Sequence, residues 1–255
     1  MQGALLALPF GLAIGLSLGL VGGGGSILAV PVLVYVIGEP VKQATTESLL
    51  IVGATALVGG LDQARGGRVR WRVAGGFGIG GAAGALAGTA LNRVASPSSI
   101  LFAFAVVMLV ATYAMLRRKG EGNGAEIDPR GWELSLRVVS AGVGVGFLTG
   151  FFGVGGGFVI VPALVLLLGF DMPVAVGTSL IVIALTSASA LAAHLSSGNI
   201  DWPVAAAFTA AAVAGALTGS RLGERLSSAR LTQLFAALIF AVALFLIAKN
   251  AAAVL

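Results

Sequence analysis

Two glycine runs stand out against an otherwise apolar chain: Gly22-Gly23-Gly24-Gly25-Ser26 and Gly153-Val154-Gly155-Gly156-Gly157. Consecutive glycines break a helix, whereas glycines four apart only smooth one face of it. Each run precedes a short apolar stretch that ends near Gly38 or Gly169. Each break therefore starts a short helix whose free N–H groups and positive dipole end attract an anion. In a membrane, irregular backbone is tolerated only where protein or a water-filled cavity satisfies it, so equivalent breaks point to a binding site. Two tight turns outside the membrane would give the same spelling. A nucleotide-binding glycine loop fits poorly, since no strand precedes the run and no Walker lysine or ribose-binding acid follows it.

A second polar cluster opens the apolar stretch after each short helix: Thr45-Thr46-Glu47-Ser48 and Gly177-Thr178-Ser179. Thr46, Ser48, Thr178 and Ser179 supply hydroxyls that can donate to an anion without a permanent charge, and helix capping is their alternative use. Glu47 is the acid of this cluster; facing a bundle interior it would be a proton relay, and at a helix start it would simply suit the dipole. His194, the single histidine, titrates near neutrality and is the second residue that could couple protons. It stands where Gln63 stands in the other half of the chain. Ser26 or Ser179 with His194 would also spell a Ser–His dyad, the signature of an intramembrane serine protease. The absence of cysteine excludes a disulfide framework, thiolate metal sites and cysteine nucleophiles. No motif calls for a cofactor or metal.

The elements that must hold these residues are membrane helices. Of 255 residues, 58% are hydrophobic and only 10% charged, against about a quarter charged in soluble domains. Mean hydropathy is +1.03. The formal charge of +5 does not indicate nucleic acid, because the basic residues fall in short breaks between apolar runs and are not interleaved with aromatics. The first twenty residues lack a basic leader and have a full-length counterpart later on, so they read as part of the mature protein.

That counterpart belongs to an internal repeat. A gapless shift of 131 residues carries Gly11, Gly15 and Gly19 onto Gly142, Gly146 and Gly150, and Gly22, Gly24 and Gly25 onto Gly153, Gly155 and Gly156. It also carries Pro31 to Pro162, Ser48 to Ser179, Trp71 to Trp202 and Gly88 to Gly219. Residues 1–118 form the first copy, 119–131 a polar linker and 132–255 the second copy, all within one membrane domain. Each copy has five apolar stretches: 4–21, 26–38, 45–61, 72–92 and 98–116, then 135–152, 157–169, 176–195, 203–222 and 231–248. The stretches 26–38 and 157–169 are shorter than the roughly 20 residues that span hydrocarbon, which suits tilted or re-entrant halves.

Lys and Arg collect on the cytoplasmic side of membrane proteins. Five crossings per copy leave only Lys42, Arg93 and Lys249, of fifteen cations, on the other side. Four crossings per copy divide them less sharply. An odd number makes the copies antiparallel, an inverted repeat with both termini extracytoplasmic and a shared anion site between the halves. Trp71 and Trp202 read as interfacial anchors, and a homodimer is left open.

In its duplicated order of Gly22 to Pro31 and Gly153 to Pro162, Thr-Glu-Ser-Leu-Leu and Gly-Thr-Ser-Leu, and the tryptophan endings at Trp71 and Trp202, the sequence resembles the sulfite exporter TauE/SafE family of bacterial membrane permeases. The resemblance runs through nearly the whole chain. It implies a non-enzymatic transporter in the cytoplasmic membrane that exports sulfite or small organosulfonates, with the glycine breaks and neighbouring hydroxyls touching the substrate. A passive anion channel or a non-transporting scaffold is the rival reading.

Overall fold

The computed structural model describes residues 2–92, 97–117, 132–152, 157–194 and 200–254, and all their regular structure is helical. The first half contains α1 (Gln2–Val21), a tight 3-10 turn (Gly23–Gly25), α2 (Ser26–Val32), α3 (Val41–Arg65), α4 (Trp71–Asn92) and α5 (Pro97–Arg117). The second contains α6 (Trp132–Phe152), α7 (Gly157–Leu166), α8 (Met172–His194), α9 (Trp202–Glu224) and α10 (Ser228–Val254). Among the described residues, five helices are long and apolar enough to cross a bilayer, and five shorter apolar helices accompany them. This is an all-α integral membrane protein. Such a chain has little choice: in hydrocarbon every backbone polar group must be satisfied within its own segment, and a helix does that.

The short segments stay short. α2 continues as a π-helical turn over Leu33–Ile37, just after Pro31, whose ring removes one ladder donor. α7 carries Pro162 at the equivalent place. With 10 residues, α7 is about 15 Å long, half the hydrocarbon thickness. Both end alike. Gly38 and Gly169 have φ of 90° and 74°. Glu39 N–H bonds to Leu33 C=O at 3.0 Å and Phe170 N–H to Leu164 C=O at 3.1 Å, in each case a bond to the sixth residue back that closes the helix just past its left-handed glycine.

The spaced glycines place backbone on backbone. A methyl added at Gly11 would lie 2.8 Å from the Phe208 carbonyl oxygen, and methyls at Gly15 and Gly19 would run into the carbonyls of Ala212 and Ala216. From α9, Gly215 and Gly219 answer against Leu12 and Leu16. The α4–α6 pair is built identically: Gly80, Gly84 and Gly88 lie on Val139, Val143 and Phe147, while Gly142, Gly146 and Gly150 lie on Phe77, Gly81 and Ala85. In lipid there is little hydrophobic drive between helices, so this close approach is what holds them together. Each glycine face finds its partner in the opposite half of the chain.

The same contacts give directions. α1 and α9 run parallel, as do α4 and α6. α3 and α8 run antiparallel, since Gly53 meets Ser187, Gly60 meets Ile181 and Gln63 meets Gly177. α3 runs parallel to α9, with Gly59 on Ala216 and Asp62 bonded to Ser220. Through α9, then, α1 and α3 point the same way, and the chain reverses between them along α2 and its π turn.

Candidate functional site

The first glycine break and the start of α7 meet in the interior. Gly22, at φ 75°, packs on Val161 and Val176, and a methyl there would be 2.7 Å from Ser179 Oγ. Gly23 lies directly on the Gly157 carbonyl, and Gly157 faces Ser26, whose Oγ a methyl would approach to 2.6 Å. Gly22 to Ser26, Gly157 and Ser179 are thus brought together and buried, with the N-terminal ends of α2 and α7 abutting. Gly153, Gly155 and Gly156 lie outside the described residues. The contact is closed: no space for a ligand separates the two backbones. Both serine hydroxyls donate to carbonyls of their own turns, Ser26 to Gly23 at 2.6 Å and Ser179 to Val176 at 2.8 Å. In this conformation those protons are spent on the backbone and are not aimed at an anion.

The polar clusters at the starts of α3 and α8 clamp helix ends across the two halves. Glu47, fully buried, accepts from the Asp201 N–H at 2.7 Å and from Gln43 Nε2 at 3.0 Å through Oε1, while its buried Oε2 has no partner. Asp201 is itself the N-cap of α9, accepting from Val204 N–H. At the shifted position Thr178 Oγ1 accepts from the Arg70 N–H at 3.2 Å, at the residue before α4. So Glu47 and its repeat partner do the same mechanical job for opposite helices. Ser48 donates to Thr45 C=O at 2.8 Å, and Thr46 is buried. Outside the spans, burial and then the Glu47 and Asp201 carboxylates hold the Glu39 carboxyl above its usual 4.5. Gln63 is buried and accepts from Arg68 Nη1 at 3.1 Å. The His194 side chain lies outside the described residues, but its backbone ends α8, fifteen residues and about 22 Å along the same helix from Ser179, so those two cannot form a dyad. Trp71 and Trp202 each begin a helix and are exposed, as anchors would be.

A cavity of about 830 Å³ lies between α4, α6 and α8, with Leu49 of α3 and Ile160 of α7 at its edges. Its described lining contains no charged side chain and none of the glycines or hydroxyls singled out by the glycine breaks and polar clusters. Its polar groups are Thr89, Thr149, Thr186, Ser187 and Ser189. Three of these bond back to carbonyls of their own helix, Thr149 to Val145 at 2.7 Å, Thr186 to Val182 at 3.0 Å and Ser189 to Leu185 at 3.0 Å. Such hydroxyls satisfy themselves when the cavity is empty and can swing to a ligand when it is filled. The available signal was the run Thr186-Ser187-Ala188-Ser189 in the middle of a strongly apolar helix.

The family model described as "Sulfite exporter TauE/SafE" matches residues 7–246. The chain belongs to the sulfite exporter TauE/SafE family. Among the family's curated relatives, the "Probable membrane transporter protein" of Xylella fastidiosa (strain 9a5c) is 30% identical over 98% of this chain and 97% of its own length. The "Probable membrane transporter protein YunE" of Bacillus subtilis (strain 168) is 29% identical over 78% of this chain and 80% of its own. "Probable membrane transporter protein MJ0441" of Methanocaldococcus jannaschii is 28% identical over 76% and 75%. No solved structure matches. As a TauE/SafE member with these helices, the chain is a multi-pass membrane transporter.

Proposed function

We propose that this transporter exports a small sulfur-containing anion, sulfite or an organosulfonate, across the cytoplasmic membrane by a secondary mechanism. The observation that carries the proposal is the hydroxyl-bearing cavity between α4, α6 and α8, with no charged side chain in its described lining, in a member of a family named for sulfite export. Hydroxyls without a fixed cation bind an anion weakly enough to release it. A potential negative inside drives an anion outward by about 2.3 kcal/mol per charge per 100 mV, so efflux needs no coupling ion. Where pH changes the rate, we assign the effect to Glu47, whose Oε2 is buried without a partner, and to His194.

The reading includes two inverted copies with both termini extracytoplasmic. Supporting it are the antiparallel course of α3 and α8, the parallel course of α1 and α3, and the charge count, in which five crossings per copy would leave only three of the fifteen cations on the other side. The closed contact of Gly22 to Ser26 with Gly157 and Ser179 is taken as the floor of the substrate path, with Thr46, Ser48 and Thr178 beside it; Gly153, Gly155 and Gly156 are assigned to the same path by the repeat in the sequence. The purified protein in proteoliposomes tests the proposal. Saturable flux of labelled sulfite or methanesulfonate with counterflow is expected. Flux that neither saturates nor shows counterflow would mean a passive channel, and none at all a scaffold.

A further inference from the structure

The cavity occupies one of two seams that the 131-residue shift makes equivalent. Its counterpart is the seam between α3 and α9, and that seam is shut. Thr55, Gly59 and Asp62 lie on one face of α3, at spacings of four and three; Thr209, Ala216 and Ser220 lie on one face of α9, at spacings of seven and four. Gly59 and Ala216 face each other with room for little more than a methyl, since a Cβ added at Gly59 would fall 3.7 Å from the Ala216 side chain, and Ser220 Oγ donates to Asp62 Oδ2 at 2.9 Å. Moved by 131 residues, Thr55, Gly59, Thr209, Ala216 and Ser220 become Thr186, Ala190, Gly78, Ala85 and Thr89, and all five line the open cavity.

Two observations mark the shut seam as more than a packed interface. Thr55 is fully buried with its hydroxyl oxygen unpartnered, and the Thr209 hydroxyl oxygen is also buried and unpartnered. A threonine in a helix can usually bond back to its own backbone, as Thr186 does; here neither does so, and each leaves a buried hydroxyl unsatisfied. The seam is also latched at one end. Beyond the Asp62–Ser220 bond, Arg68 Nη1 bridges Glu224 Oε1 at 3.0 Å and Gln63 Oε1 at 3.1 Å. The residues of this latch are not repeated in the sequence: at the shifted positions Ala193 stands for Asp62, Asn199 for Arg68 and Arg93 for Glu224.

We infer that the α3–α9 seam is a second, latent binding pocket for the transported anion, with Thr55 and Thr209 as its hydroxyl contacts, held shut by the Asp62–Ser220 and Arg68–Glu224 latch. The two seams open in turn. The latch, present on one side only, sets which state the empty protein prefers. The identity of the ligand rests on the proposed anion transport; the existence of the second pocket does not.

The chain has no cysteine, so single cysteines report on each seam without background. Ser189→Cys, at an exposed position of the cavity lining, and Thr209→Cys, whose side-chain oxygen is buried in the shut seam, are labelled with a membrane-impermeant thiol reagent in vesicles of both orientations, with and without Ser220→Ala/Glu224→Gln. With the latch intact, Ser189→Cys should react and Thr209→Cys should not. Without it, Thr209→Cys labelling should rise about tenfold, the loss expected for a hydrogen bond to a charged group, while Ser189→Cys labelling falls. A Thr209→Cys that stays protected, or a rise at both positions together, which is what loosening or partial unfolding would give, overturns the inference. Methanesulfonate, which is inert to thiol reagents, should slow labelling of both cysteines in their open states. If the reciprocal change occurs but methanesulfonate protects neither, the anion assignment fails and the pocket stands.

Discussion

Glu47 shows how a residue's chemistry depends on what it holds. Its Oε1 takes two donors, one from the first residue before α9, so its carboxylate secures a helix of the opposite half. Glu47→Ala would strand a buried N–H and an amide; at about 1–3 kcal/mol for an unsatisfied group, the melting temperature of the purified protein in detergent should fall clearly. Thr178→Val should produce a smaller drop, since only the Arg70 N–H loses its acceptor. Glu47→Gln keeps Oε1 as an acceptor and should spare folding, but it should flatten any pH profile of transport. An unchanged profile would remove Glu47 from proton coupling. Glu39 gives a second test at this scale. Its carboxyl is raised, so the folded state holds its proton to higher pH than the unfolded chain does, and folded stability falls as pH rises from about 4.5 through the raised value. Glu39→Gln should therefore raise the melting temperature at pH 8 and leave it nearly unchanged at pH 4.

At the scale of elements, the glycines separate into classes that look alike in the sequence. Gly23 lies on the Gly157 carbonyl, and Gly84 and Gly146 on backbone of α6 and α4. Even an alanine there must push a helix away. Gly24 instead faces the Leu238 side chain, which can turn aside. Gly23→Ala is expected to abolish transport in protein that still inserts, while Gly24→Ala retains much of it; equal effects would show that the break tolerates displacement. Gly144 has nothing within 4 Å of an added methyl and an ordinary helical backbone, so Gly144→Ala should stabilise α6 by up to about 1 kcal/mol. Thermal melting distinguishes these cases.

The whole molecule is held together by pairs that cross between halves: α1 with α9, α4 with α6, α3 with α8 and α5 with α10. Residues 1–118 alone would leave two glycine faces unpaired and the buried Glu47 without the Asp201 N–H. That fragment should fail to accumulate by itself and should copurify with residues 132–255 when both are expressed; a stable lone half would contradict the interlocked packing. The proposed alternation between seams belongs to this scale too, because it needs both halves to move against each other.

Much of this was legible in the chain. Hydropathy and the roughly 20-residue span fix the ten apolar stretches closely, because in lipid a helix is the one local answer to backbone hydrogen bonding. The glycine spacing gives the close-packing faces, and the repeat gives equivalent positions, down to the paired stops at Gly38 and Gly169. Spacing along one helix, however, says nothing about which other helix it meets. That partnership decided the rest. The first glycine break proved to press on the start of α7, the polar clusters to cap distant helices, and the hydroxyls around open space to be Thr89, Thr149 and the 186–189 run. A cavity is the space that several helices together fail to fill, so it is decided by the difference between two seams that the repeat alone would make the same.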